Sequence, residues 1–149
     1  MKLYISILFV FCILTTFAQN ELKEVPKGTT KIIVKTERST KDNFKTLLNV
    51  LLDYDFEIEN KDSELFTIKT GQKPIPRTGS YYLNFMCKED LIEITGKFYS
   101  GISMELNGVK SEDKQESITN KGMKNSIYKI SFQEMFNVAN LIGTNLSYN

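Results

Sequence analysis

The sequence predicts an α+β fold: a mostly antiparallel sheet with two helices packed on one face, in the order β-α-β-β-β-β-(β)-α. Three observations predict it. β-Branched and aromatic residues alternate with polar ones at a period of two, most clearly over Ser80–Lys88 and Leu91–Tyr99. Two other stretches, around Leu47 and around Met135, carry apolar residues at helical spacing. Each helix then has a single apolar stripe to hide, and one side of one sheet hides both economically.

In chain order, the first segment is an address. Met1-Lys2 is a short basic start, Leu3 to Leu14 is almost wholly apolar, and Thr15-Thr16-Phe17-Ala18 leads to polar Gln19-Asn20. That layout is a signal peptide over residues 1–18, too short and too polar at its exit for a spanning helix. The expected protein is therefore exported, to the periplasm or the cell surface and medium. It is one α+β domain over residues 19–149 with no transmembrane helix. Its length, about 130 residues, is enough to bury roughly two-thirds of the unfolded surface.

Lys31–Thr36 is rich in β-branched residues and reads as a strand, with Ile32 and Val34 on one face and Ile33 on the other. Ser39–Asp42 supplies helix-start chemistry, and Phe44, Leu47, Leu48 and Leu51 predict a helix over Lys41–Asp53. Phe56–Glu59 and Leu65–Lys69 alternate around a turn at Asn60–Ser63; Phe56, Ile58, Phe66 and Ile68 are expected to share the core. Thr70–Ser80 holds Gly71, Pro74, Pro76 and Gly79 and reads as an unusually long loop. Next comes a hairpin with Lys88 opposite Leu91, which places Tyr81, Leu83, Phe85 and Cys87 opposite Phe98, Gly96, Ile94 and Ile92. Glu89-Asp90 lacks the Gly that a two-residue turn prefers, so parity carries this register. Ile102, Met104 and Leu106 alternate as a further strand, Asn107-Gly108 signals a turn, and Lys110–Lys121 is a charged excursion read as mobile. Tyr128, Phe132, Met135, Phe136, Ala139 and Ile142 predict a helix over Lys124–Ile142 stopped by Gly143; its early part also reads as strand.

Composition removes several chemistries. Nineteen Lys and Arg stand against eighteen Asp and Glu, and without Lys2 the charges balance, which argues against nucleic acid as partner. Only Arg38 and Arg77 offer a planar fork for phosphates and bases. The chain has no histidine, the commonest general base and metal ligand, and zinc held by Cys and His is excluded. Phe9-Val10-Phe11 before Cys12 lacks the small residue of a lipidation site, leaving Cys87 alone and without a disulfide partner. Parity places Cys87 on the core face as a small hydrophobe. Glu57, Glu59, Asp62 and Glu64 cluster around one turn, with Glu112, Asp113 and Glu116 in the excursion; interleaved with Lys, they read as a solvated surface. Lys27-Gly28-Thr29-Thr30 has a phosphate-loop ending without the first Gly or the following helix. No catalytic residue, cofactor site or metal site is assigned, and no cofactor is expected.

The face turned away from the helices carries Ile33, Leu65, Thr67, Tyr82, Asn84, Met86, Glu93, Thr95, Lys97 and Tyr99. Scattered apolar residues on such a face are normal. Ile33, Leu65, Tyr82, Met86 and Tyr99 together also make a candidate interaction face, since contiguous exposed apolar surface marks partner sites. Lys31–Val34, Ser39–Asp42, Phe44–Leu51, Phe56-Glu57-Ile58, Leu65–Thr70 and Leu91–Phe98 resemble a group of bacterial secreted domains of unknown function. That resemblance implies a TATA-binding-protein-like fold and no activity; a fold name carries no DNA binding with it. The expected role is a non-catalytic binding or envelope-assembly module using the open face, its partner an unidentified protein or small molecule. The alternatives are an extracytoplasmic hydrolase or inhibitor relying on carboxylates, and a small-molecule carrier with its ligand between sheet and helices.

Overall fold

The computed structural model describes residues 25–75, 79–101 and 114–149, with the backbone of 105–106 and 109–110. The elements are β1 (Ile32–Lys35), α1 (Thr40–Asp53), β2 (Ile58–Asp62), β3 (Thr67–Thr70), β4 (Lys73–Ile75), β5 (Gly79–Lys88), β6 (Leu91–Tyr99), β7 (Glu105–Leu106), β8 (Val109–Lys110), β9 (Gln115–Ser117), α2 (Ile127–Ile142) and β10 (Leu146–Tyr148). The leader, Ile102, Met104, the Asn107-Gly108 turn, Glu112 and Asp113 lie outside the described residues. Eight strands form one open antiparallel sheet in the order β10-β1-β6-β5-β3-β2. β4 continues the line of β3 along β5, and β9 continues that of β1 along β6.

The β5–β6 hairpin is the spine, and all nine of its pairs keep the predicted register from Lys88 opposite Leu91 to Ser80 opposite Tyr99. Its turn is the tight one despite lacking Gly: Asp90 takes a left-handed φ of 59°. Two bonds from the β1–α1 connection hold it there, Asp90 N–H to Arg38 O at 3.0 Å and Thr36 N–H to Asp90 O at 2.7 Å. Both helices lie on the face carrying Ile32, Val34, Leu83, Phe85, Ile92 and Ile94, all at most 2% exposed. Ser39 caps α1 by accepting from Asp42 N–H at 3.2 Å, and Phe44, Leu47 and Leu51 fill the core. Leu48 and Phe136 pack against that interior half-buried.

Four expectations are corrected, and one strand is added. The turn expected at Asn60–Ser63 falls later, at residues 63–66, because Asp62 Oδ1 accepts the N–H groups of Glu64 and Leu65 and Phe66 takes a φ of 53°. The Thr70–Ser80 loop contains β4, an edge strand where Pro74 is tolerated. The excursion read as mobile returns to the sheet as β9, followed by Ile118 at 0% exposure and Asn120 at 2%. α2 begins at Ile127 and is turned: Val138, not Phe136, completes the stripe with Phe132, Met135, Ala139 and Ile142. After Gly143, where a Cβ would meet Val34 Cγ1 at 2.9 Å, the chain adds β10, an unexpected edge strand on β1.

Candidate functional site

The sheet face opposite the helices is built row by row by strand pairing. One row runs across six strands: Ser147, Ile33, Glu93, Met86, Thr67 and Asp62. The next is Thr95, Asn84, Lys69 and Asn60. Between them lies a recess of about 380 Å³ lined by Lys31, Thr67, Asn84, Met86, Glu93 and Thr95, among others. Glu93 is its electrostatic centre. Its carboxylate takes Lys88 Nζ at 2.6 Å on one oxygen and Lys31 Nζ at 3.0 Å on the other. Lys88 first, and Lys31 with it, hold that carboxyl below the ordinary carboxylate range. Lys69 pairs with Glu59 at 2.7 Å on the flank.

The five residues of the candidate face do not form one patch. Met86 is 42% exposed and Ile33 half-buried, and both flank Glu93 across the strands. Tyr82 is not open: only 6% exposed, it lies under Lys69 Nζ at 4.6 Å and donates its hydroxyl to Gln115 Oε1 at 3.1 Å. Tyr99 stands beside it at 6.4 Å between rings and takes the other end of the Gln115 amide. β9, which the periodicity does not reveal, thus closes one end of the face. Leu65, at 69% exposure, lies in the β2–β3 turn rather than on the sheet.

Several of the other singled-out groups have structural duties. Cys87 is 3% exposed, and burial pushes its thiol up to about 12. Asp62 caps the turn and Glu59 serves Lys69, while Glu116 accepts from the Tyr128 hydroxyl at 2.5 Å. In the Lys27–Thr30 segment, Gly28 N–H donates to Asn120 O at 3.0 Å and Thr29 to Pro26 O, so this is a docking turn. The layer between sheet and helices, where a carried ligand was to sit, is filled by core side chains. A larger hollow of about 850 Å³ lies instead beside α2, lined by Val25–Lys27, Asn120, Lys124, Lys129, Ile130 and Phe136 among others. It joins three separate segments, and no single stretch of sequence signals it.

The fold is an open-faced α+β layer pair with an ion-paired, partly apolar outer surface. No family model matches the chain, and no curated protein does. Among solved structures, it is similar to a DUF4468 family protein from Bacteroides ovatus, DUF denoting a domain of unknown function. The identity is 15%, the coverage 83% of this chain and 92% of that one, and the TM-score 0.42. Among the described residues, no helix is long and apolar enough to cross a membrane.

Proposed function

We propose that the protein is an exported, non-catalytic binding or envelope-assembly module whose uncovered sheet face receives a protein partner. The observation that carries this reading is the Ile33–Glu93–Met86 row: one exposed and one half-buried apolar side chain set beside paired charges. Protein interfaces mix apolar contact with hydrogen-bonding and charged groups, and Met adapts its shape to what it meets. Lys31 and Lys88 share Glu93, and Lys69 pairs with Glu59, so three lysines of this face are held in ion pairs. Export rests on the layout of residues 1–18.

The test is site-specific photo-crosslinking in the native host, with a crosslinker at Met86 or, as a control on α2, at Asn137. The reading expects a discrete adduct from Met86 that disappears with Ile33→Glu, and a recovered chain beginning near Gln19. Equal adducts from both positions, or none from Met86, overturn the binding face. A chain retaining Met1 overturns export.

A further inference from the structure

The hollow beside α2 has a polarity of its own. At the helix start stand Lys124 and Lys129, with Lys27 on the facing arm; Phe136 lies about 10 Å further along, two turns past Lys129. Ile130 and Phe136 are half-buried and Phe132 is 5% exposed, so the floor is apolar. This floor is left because α2 sends Val138 into the core while Phe136 packs half-buried at the core's margin. The volume, about 850 Å³, falls within the range of small-molecule sites.

The charge at the head of the hollow lacks a carboxylate. The ion pairs among the described residues involve Lys31, Lys69 and Lys88, and not Lys27, Lys124 or Lys129. Lys129 Nζ instead donates to Asn120 Oδ1, a neutral acceptor. Asn120 is itself pinned by bonds from its Nδ2 to Val25 O at 2.7 Å and Pro26 O at 3.0 Å, so the ammonium is positioned without being neutralised. Two lysines at the positive end of a helix whose first turn has no acidic residue stand there at an electrostatic cost. The carboxylate lining the hollow, Glu134, lies by the buried Tyr81, whose hydroxyl is pushed up first by burial and then by that neighbouring charge.

We propose that this hollow binds one fatty-acid anion, its carboxylate at Lys124 and Lys129 and its tail along Ile130, Phe132 and Phe136. A small inorganic anion would leave the apolar floor unused, and a neutral lipid would leave the lysines unanswered. One head cluster followed by one apolar track matches a single-tailed acid.

The test uses the purified full chain and a dansyl-labelled undecanoate probe, displaced by hexadecanoate below its micelle concentration. Hexadecanoate should displace the probe, and hexadecanol should do so at least about tenfold more weakly. Lys124→Met and Lys129→Met should each weaken binding by roughly five- to tenfold, while Lys97→Met on the opposite face leaves it unchanged. Lys124 is exposed, so its variant keeps the fold even where loss of the Asn120 bond disturbs the other. Equal displacement by acid and alcohol, full affinity in Lys124→Met, or no probe binding overturns the proposal. So does co-sedimentation with anionic phosphatidylglycerol vesicles without hexadecanoate binding, which would assign the lysines to a membrane headgroup.

Discussion

Asn43, at 0% exposure in the first turn of α1, donates its amide to Lys88 O at 2.9 Å and to Arg38 O at 3.3 Å. It ties the helix start to the end of the central hairpin. Asn43→Ala leaves two part-buried carbonyls without that donor and should cost about 1–3 kcal/mol in denaturant unfolding. Cys87 gives a complementary prediction. With its thiol pushed up to about 12 by burial, only roughly one in ten thousand is ionised at pH 8. Labelling of the native protein by a disulfide reagent should therefore proceed at the rate of unfolding; fast labelling would contradict the packing. This residue was legible beforehand, because strand parity alone puts it opposite Ile92. Tyr82 was not, since its cover comes from Gln115, more than thirty positions away along the chain.

Gly96 shows how one element is fitted to another. A Cβ there would meet Ile118 Cδ1 at 2.6 Å, Leu83 Cδ2 at 2.9 Å and the Tyr82 carbonyl at 2.9 Å. Gly96→Ala should destabilise by ~1–3 kcal/mol, and Ile118→Val, which removes the nearest atom, should recover part of it. A double-mutant cycle that finds the two changes additive would show that Ile118, just past β9, does not press on β6 as described. The same comparison explains what the sequence discloses. The hairpin has two chemically contrasting faces over nine paired positions, so any slip is visible as mixed polarity. β10 has three residues, too few for a period, and becomes a strand because β1 offers it an edge. Pro74 spoke for a loop, and only an outer position lets it pair. In α2 the apolar residues span a wide arc, and the packing against β1 and β6, not the periodicity, selects Val138 over Phe136. Hence the hollow beside α2 was hidden, while the sheet face was drawn in outline.

Across the molecule, acid should loosen the sheet through Glu93. Its folded pKa is lowered by Lys88 and Lys31, so its contribution is present above the ordinary carboxylate value, about 4.3. That contribution is lost as pH falls through the lowered folded value. Glu93→Gln should cost up to ~1 kcal/mol near neutrality, and the gap to the parent should close in melts taken below about pH 4. A gap that stays constant down to pH 3 would mean the two lysines do not hold this carboxylate. Strand order has a different outcome. β1 lies between β6 and β10 and pairs with both, through Ile32 to Ile94 and Ile32 to Tyr148. During synthesis its Ile-Ile-Val stretch therefore has no neighbour on either side until two much later segments emerge, and contacts this distant in sequence are slow to form. The opening strand is the last to be enclosed. A chain of this design leaves one edge of β1 open for as long as its tail is missing, and an open edge invites self-association.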